Sequence, residues 1–345
     1  MKRILIVKVT ALGDIIQAQP IVADLHKAFP GVEIDWAADE LFADVARWNS
    51  GIRRVHSAPL KQFKKARSMD GLRAITGSIS ALRQDRYDAI CDIQGVYKSA
   101  IIARIARSRL RFGYLNKDLG ERGAAFAYSR RFEPRPQGTT VHSMRVTVAR
   151  ALGYTFDETP DFGLQIPGAD ALALPDDRPF AILFHGTSKD DKKWPNEGWI
   201  ASARHLLLRG LNVMLPWGSE KEHQAAQAIA TQVPGVTVLP RLSVLEIARY
   251  TARAALVLGT DTGFTHLAYA LERPTVLILT ATTRDTIGIA HPERAITVGD
   301  AGQSPSTRAV FDAIDAVLPA ASMQAARAGA VVPALEEVAE LYAHP

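Results

Sequence analysis

Short apolar runs that alternate with amphipathic segments constrain this chain more than any other feature. Ile4–Val9 is followed by helically spaced apolar residues from Ile15 to Phe29, and further apolar runs lie at Glu33–Ala37 and Tyr87–Ile93. Strands without a polar face must be covered on both sides, which is typical of a parallel sheet between two layers of helices. The first half is therefore predicted to be a doubly wound α/β domain, with a helix kinked or restarted at its internal proline.

The same alternation restarts after residues 155–179, where four prolines and no sustained period indicate a linker. The expected strands and helices of the second half lie at 180–185, 199–209, 212–215, 221–230, 236–239, 244–252, 255–258, 263–271, 275–279 and 309–318. At about 150 residues per domain, 345 residues provide for two domains. We predict a first domain at 1–160, a linker at 161–179, a second domain at 180–320 and a helical tail at 321–345.

Two Rossmann-like, doubly wound domains bind ligands beyond the carboxyl ends of their strands, so the cleft across which they face each other is the expected site. The sequence lacks the fingerprints of common ligands of such folds, because neither Gly-x-Gly-x-x-Gly nor Gly-x-x-x-x-Gly-Lys-Ser/Thr occurs. No His-Glu-x-x-His is present, and the adjacent Asp190 and Asp191 beside three lysines are a poor divalent-metal site. We expect neither a metal nor a cofactor.

The formal charge of +5 is divided unequally along the chain. Residues 1–150 hold 26 Lys/Arg and 14 Asp/Glu, a net +12, whereas residues 151–345 hold 15 and 22, a net −7. This asymmetry indicates a polyanionic partner for the first half, such as a nucleic acid, a membrane surface or an acidic substrate. Two basic clusters, at 61–67 and 104–111, favour such binding over a merely solvated surface.

Nothing in the sequence predicts a membrane span or secretion. No apolar run approaches the ~18–20 residues that a span needs, and the run that begins at Ile4 is broken by Lys8 and Asp14 without a cleavage site. The single cysteine, Cys91, excludes a disulfide framework. A cytoplasmic protein is expected.

Asp14 follows the first strand at a strand-to-helix turn. A carboxylate there could act as a general base, or it could cap the helix by accepting a backbone N–H, and spacing alone favours the cap.

The segment Asp261–His266 follows an apolar strand and opens a helix. Gly263 and the N–H groups of the first turn predict a phosphate site, with Thr262 and Thr265 as hydroxyl donors. The alternative is an Asp261 N-cap beside a partly buried His266.

Two further loops leave strand ends. Residues 185–195 combine two hydroxyls with several lysines, which suits a diphosphate, although most such charged loops are only solvated. A glutamate within 216–222 could accept hydrogen bonds from ribose, or it could simply favour the helix start.

Five motifs in order resemble the lipopolysaccharide heptosyltransferases of glycosyltransferase family 9, above all those that add the first heptose of the inner core. The resemblance runs from Met1 to about Val298. The motifs are Val-Lys-x-x-x-Leu-Gly-Asp at 7–14, Asp-Ile-Gln-Gly at 92–95 with Lys98-Ser99, Asp-Asp-Lys-x-Trp-Pro at 190–195, Leu-Pro-Trp-Gly at 215–218 and Asp-Thr-Gly-x-x-His-Leu at 261–267.

The resemblance implies a GT-B fold and an inverting, metal-independent transfer of L-glycero-D-manno-heptose from ADP-heptose to the Kdo of Kdo-lipid A. It implies that the acceptor binds the first domain and the nucleotide sugar the second. The enzyme would be cytoplasmic and peripheral at the inner face of the inner membrane, with no nucleic-acid partner and no transmembrane segment. Two alternatives stay open: an acceptor that already carries a heptose, and a non-catalytic polyanion-binding protein.

By position, the resemblance implies that Asp14 is the general base and that Lys192 neutralises the diphosphate. The implied donor-binding residues are Thr187, Ser188, Lys192, Glu222, Leu242, Asp261, Thr262, Gly263 and His266. The implied acceptor-binding residues are Lys61, Lys64, Lys65, Arg67 and Arg122. Three positions depart from the family: Ser188 replaces a threonine, Leu242 replaces a methionine, and Gly120 replaces an arginine for which Arg122 substitutes.

Overall fold

The computed structural model describes residues 1–58, 69–174, 178–187 and 189–318. The chain divides into two compact units, Met1–Gln165 and a second unit that begins at Ile166. The predicted residues Lys61, Lys64, Lys65, Arg67 and Ser188 and the predicted tail at 321–345 lie outside the described residues. None of the described helices is long and apolar enough to cross a membrane.

The first unit contains a six-stranded parallel sheet in the order β3-β2-β1-β4-β5-β6. Its strands are β1 (Arg3–Val7), β2 (Glu33–Asp39), β3 (Arg54–Ala58), β4 (Ala89–Asp92), β5 (Arg111–Gly113) and β6 (Arg130–Arg131). Its helices are α1 (Leu12–Ala18), α2 (Pro20–Ala28), α3 (Ala43–Arg47), α4 (Met69–Gln84), α5 (Tyr97–Ile105) and α6 (Thr140–Leu152), with a 3₁₀ turn at Arg122–Ala127.

The second unit contains another six-stranded parallel sheet, in the order β12-β11-β10-β7-β8-β9. Its strands are β7 (Phe180–Phe184), β8 (Asn212–Leu215), β9 (Val236–Val238), β10 (Leu256–Thr260), β11 (Thr275–Leu279) and β12 (Ala295–Gly299). Its helices are α7 (Asn196–Leu208), α8 (Glu220–Gln232), α9 (Val244–Arg253), α10 (Gly263–Ala270), α11 (Arg284–Ile287) and α12 (Thr307–Val317), with a 3₁₀ turn at Asp190–Lys192.

Alternation along the strands shows why each sheet needs helices on both faces. In β7, Leu183 packs into a cluster with residues of α7 and α12, whereas its neighbour Ile182 packs into a second cluster with residues of α9 and α10. Successive side chains of a strand point to opposite faces, so a strand that is apolar throughout supplies both clusters. The predicted class, two doubly wound α/β domains, is confirmed.

The restart predicted at the internal proline is confirmed. Gln19 ends α1, and Pro20 opens α2 at a position where its missing N–H is not needed. The fourth strand of the second unit ends at Thr260, two residues later than the apolar run suggested, since Gly259 still pairs with β7 and β11 and Thr260 still pairs with β11.

The proline-rich stretch predicted as a linker is divided between the two units. On the first side, Asn49 donates to the carbonyl of Phe162 and pairs with Leu164 in an isolated bridge. On the second side, Arg249 donates to the carbonyl of Pro167 at 2.7 Å, and Leu174 packs on the apolar cluster beneath α9. Residues on each side of the boundary at 165/166 are therefore anchored to their own unit.

Candidate active site

Each sheet reverses its winding between the first and fourth strands of its unit, β1 and β4 in one and β7 and β10 in the other. Ligands of doubly wound sheets bind outside the carboxyl ends of the strands at this switch point. Asp14 follows β1, and Asp261 directly follows β10. Thr187 and Lys192 lie on the loop after β7. The sequence-predicted residues thus mark the switch point of each unit.

Asp14 is the third residue of α1. It caps the helix start by accepting a backbone N–H, as spacing favoured, but from the third position, since the N-cap itself is Ala11. Its Oδ2 accepts a hydrogen bond from the Ala11 N–H at 3.3 Å and forms an ion pair with Lys8 Nζ, also at 3.3 Å. The Asp14 side chain is 43% exposed, whereas that of Lys8 is 8% exposed. Burial lowers the pKa of the Lys8 ammonium, and the Asp14 carboxylate offsets this only in part. The partly exposed Asp14 carboxylate is therefore paired with the buried Lys8 side chain.

The loop after β4 holds the backbone that leads to Asp14. Gln94 Oε1 accepts hydrogen bonds from the N–H groups of Val9 and Thr10, each at 3.2 Å. Gln94 is itself fixed through Asp92, a fully buried carboxyl that accepts from the Gln94 N–H at 3.0 Å and from the Tyr128 hydroxyl at 2.8 Å. Burial raises the pKa of Asp92, although these donors favour its ionised form. The two switch-point loops of the first unit are thus joined by side chains.

Arg122, the one predicted acceptor contact within the described residues, begins the 3₁₀ turn and is exposed. Its neighbour Glu121 accepts a hydrogen bond from the Tyr97 N–H at the start of α5, and the Glu121 N–H donates to the Gly95 carbonyl at 3.2 Å. Arg122 therefore lies near the loop that follows β4, at the carboxyl edge of the first sheet.

In the second unit, Lys192 forms an ion pair with Asp261 Oδ2. The same oxygen accepts a hydrogen bond from the Thr282 hydroxyl at 3.0 Å, and the other, Oδ1, lies 3.3 Å from His266 Nε2. Burial opposes ionisation of Asp261, but hydrogen bonds from His266 and Lys192 outweigh it and lower the pKa of this carboxyl to about 2. Asp261 is therefore an anion that organises a cation and two further donors around the start of α10.

Thr262, and not Asp261, is the N-cap of α10, and the Asp261 side chain is engaged with Lys192 and Thr282 instead. Close packing keeps this helix start near the strand: the Thr265 hydroxyl donates to the Thr260 carbonyl at 2.8 Å. A Cβ on Gly259 would lie 2.1 Å from that hydroxyl oxygen, so only glycine fits at this point of β10. His266 is buried and turned toward Asp261.

The loops after β7 and β8 are also in contact. Glu222 closes a capping box at the start of α8, where its Oε2 accepts from the N–H groups of Gly218 at 2.7 Å and Ser219 at 3.0 Å. A Cβ on Gly186 would lie 2.7 Å from Glu222 Oε1, so the carboxylate covers the backbone just before Thr187. The Thr187 hydroxyl oxygen is buried without a hydrogen-bond partner among the described residues.

Leu242 packs on an apolar cluster, whereas Asp190 forms ion pairs on the surface. Leu242 precedes the N-cap of α9 and joins the same apolar cluster as Ile247, the arrangement of a hydrophobic staple. Asp190 pairs with Lys193 at 2.6 Å and with Lys221 at 3.3 Å, and hydrogen bonds from these lysines lower the pKa of its carboxyl. Across the described ranges, no three or more His, Cys, Asp or Glu side chains are grouped so that they could hold a metal ion.

Comparison with known proteins decides the family. The model of glycosyltransferase family 9 (heptosyltransferase) matches residues 76–311. The chain belongs to glycosyltransferase family 9. It is 32% identical over 295 residues to lipopolysaccharide heptosyltransferase 1 of Escherichia coli K12, covering 83% of this chain and 90% of that protein.

Solved structures agree with this membership. The family 9 chain superposes on the E. coli heptosyltransferase WaaC with ADP at a TM-score of 0.79 and 30% identity, covering 91% of this chain and 99% of that one. WaaC with ADP-2-deoxy-2-fluoro heptose gives a TM-score of 0.74 over the same shares. The predicted GT-B fold and glycosyltransferase class are confirmed.

Sequence reasoning assigned no role to three residues that this family 9 glycosyltransferase places at its switch points. Lys8 and Gln94 stand within the quoted motifs, but their contacts with the Asp14 region depend on the fold: Gln94 reaches Val9 across 85 positions. Thr282, which binds Asp261 from the loop after β11, carried no local signal at all.

Proposed function

We propose that this protein transfers L-glycero-D-manno-heptose from ADP-heptose to the Kdo of Kdo-lipid A, with inversion at the anomeric carbon and without a metal ion. The observation that carries the proposal is the group of Lys192, Asp261 and His266 around the first turn of α10. A helix start with a fixed cation beside it suits a diphosphate. The similar protein WaaC has been solved with ADP and with an ADP-heptose analogue.

In this proposal the donor occupies the second unit. Lys192 and the first-turn N–H groups of α10 take up the negative charge that develops on the diphosphate as its bond to the heptose breaks. Thr187 and Ser188 supply hydroxyl donors, Glu222 contacts the ribose, and Leu242 contacts the adenine. Asp261, Thr262, Gly263 and His266 complete the donor site.

The acceptor is assigned to the first unit, whose sequence carries most of the positive charge. Asp14 takes the proton from the Kdo hydroxyl as that oxygen attacks the anomeric carbon, and ADP departs with the bonding electrons. The partial exposure of the Asp14 carboxylate supports this role, since a base must reach its substrate. Lys61, Lys64, Lys65, Arg67 and Arg122 are proposed to bind the acidic groups of the acceptor, at the cytoplasmic face of the inner membrane.

The deciding experiment supplies the purified chain with ADP-heptose and either heptose-free Kdo-lipid A or an acceptor that already carries one heptose. We expect ADP release with the heptose-free acceptor, and no loss of rate when EDTA is added. Release only with the heptosylated acceptor would assign the next transfer step instead. Absence of release with both acceptors, together with salt-sensitive binding to unrelated polyanions, would favour the non-catalytic alternative.

A further inference from the structure

One surface of the first unit joins exposed apolar side chains to cationic ones. Helix α5 carries Tyr97, Ile101 and Arg104 at the spacing i, i+4, i+7 that forms a single helical stripe, and all three are exposed. Tyr97 is 49% exposed and Ile101 is 44% exposed. The sequence placed Arg104 in a basic cluster, and the proposed transfer reaction uses none of these three residues.

The 3₁₀ turn Arg122–Ala127 extends this surface with Phe126, which is 56% exposed. Alanines of the turn pack against Ala100 of α5. A Cβ on Gly123 would lie 1.8 Å from the Tyr97 hydroxyl oxygen, so the turn lies directly against that ring. The stripe on α5 and the tip of the turn are therefore one continuous surface, which we call the Tyr97–Phe126 face.

Two guanidinium groups lie beside Phe126. Arg131 donates to the Ala125 carbonyl at 3.0 Å, and Arg111 donates to the Ala127 carbonyl at 2.9 Å. Within the described part of the chain, neither of these arginines nor Arg104 forms an ion pair with a carboxylate. The exposed Phe126 ring thus lies near cations that pair with no carboxylate of the described residues.

We propose that the Tyr97–Phe126 face docks on an anionic phospholipid bilayer. Aromatic and aliphatic tips suit the interfacial layer of a bilayer, and arginines beside them can bind lipid phosphates while their stems stay apolar. A second copy of this chain fits less well, because a two-fold interface would bring the same arginines against one another. The proposal builds on the proposed function through its lipid acceptor, but the docking itself needs neither donor nor acceptor.

Docking there would have a direct consequence for the candidate active site. Helix α5 starts immediately after the loop that carries Gln94, and its first N–H is bound by Glu121 next to Arg122. A short stretch of backbone, held by hydrogen bonds, therefore connects the face to the first switch point. A bilayer on this face lies close to the edge of the sheet from which Asp14 projects.

The test measures co-sedimentation of the full chain with vesicles, in the absence of ADP-heptose and lipid A. Wild type is expected to bind vesicles that contain phosphatidylglycerol and to lose binding with pure phosphatidylcholine or high salt. Ile101→Ser combined with Phe126→Ser should lower the partition coefficient at least about tenfold. Arg104→Gln should lower it about fivefold. The matched controls Leu41→Ser and Arg47→Gln, exposed elsewhere on the same unit, should bind as wild type.

Unchanged binding of the double variant, or equal loss in the controls, would overturn the proposal. Dimers in sedimentation velocity that the double substitution dissociates, without any vesicle binding, would instead identify an interface between copies. Asp14→Ala should bind vesicles like wild type, and thermal unfolding checks that all variants are folded. Vesicle binding without ADP release would count against the proposed transfer alone, and ADP release with a soluble acceptor but no vesicle binding would count against the docking alone.

Discussion

The two switch points of the molecule share one strand order but differ in their electrostatics. In the first unit, Asp14 is partly exposed and rests on a buried lysine through one ion pair. In the second, Asp261 is mostly buried and engages Lys192, His266 and Thr282 together. Identical topology therefore supports two different kinds of acidic group.

The difference shows what each carboxylate can do. A carboxylate with water on one side and few fixed donors can accept a proton from a substrate hydroxyl. A carboxylate held by several donors, with its pKa lowered to about 2, stays ionised and positions its neighbours instead. We therefore expect Asp14 to accept a proton from the substrate, and Asp261 to stay ionised and hold Lys192 and His266 in position. Four experiments test this contrast.

The largest expected effect is that of Asp14→Ala. Removal of a general base typically lowers kcat by 10²–10⁴, and we expect about 10³ here with unchanged affinity for ADP-heptose. Transfer kinetics and calorimetric titration of the donor measure the two quantities. Asp44→Ala removes an exposed first-turn carboxylate from α3 and should leave both unchanged. An equal loss of donor affinity in Asp14→Ala would contradict the role of base.

Lys192→Ala should act on the donor itself. Loss of a charged hydrogen-bond donor costs about 1.5–3 kcal/mol, so the Kd for ADP should rise about 10- to 100-fold, with a lower transfer rate. The matched control is Lys221→Ala, an exposed lysine that pairs with Asp190 in the same region. Equal effects of the two substitutions would show that only net charge matters, and would remove Lys192 from the site.

Gly259→Ala probes how tightly the second switch point is packed. Its new methyl group would collide with the Thr265 hydroxyl, and we expect a loss of about 2–3 kcal/mol in the free energy of unfolding in urea. Adding Thr265→Ala should recover part of the loss. Gly77→Ala, in α4 where no atom lies within 4 Å of the added Cβ, should be neutral or stabilising. Equal stability of both alanine variants would argue against this packing.

The smallest expected effect is a pH dependence of stability. The pKa of Asp261 is about 2 in the folded chain, below its ordinary value of 3.8, so ionised Asp261 stabilises the fold above about pH 4. That contribution, at most about 2 kcal/mol, is lost as the pH falls from about 4 toward 2. Asp261→Asn should therefore lose less stability than wild type between pH 5 and pH 3, whereas Asp44→Asn should behave as wild type. The free energy of unfolding is measured at each pH. If it changes with pH in the same way for Asp261→Asn and for wild type, ionised Asp261 does not stabilise the fold.

The sequence predicted eight of the twelve described strands, because buried parallel strands are apolar throughout. It did not predict β3, β5, β6 and β12, and two of these, β5 and β6, are only three and two residues long. Two predicted strands, Asn212–Leu215 and Thr275–Leu279, have the bounds seen in the structure. Helix ends were harder to predict. An Asp261 N-cap was the alternative to a phosphate site at this turn, but Asp261 is engaged with Lys192 and Thr282 from other loops, and the N-cap is Thr262. Likewise the Lys8 ion pair depends on how β1 leads into α1, which residue spacing does not encode.

The Lys192–Asp261 pair also bears on the end of a catalytic cycle. A diphosphate that binds Lys192 must compete with an anion that belongs to the protein. When ADP remains after transfer, Asp261 is positioned to reclaim the ammonium, so the spent nucleotide never gains the full attraction of an unpaired lysine. In the proposed reaction, a resident competitor of this kind weakens the binding of the donor and of ADP alike, so we expect ADP to leave more readily than the charge of the loop alone would suggest.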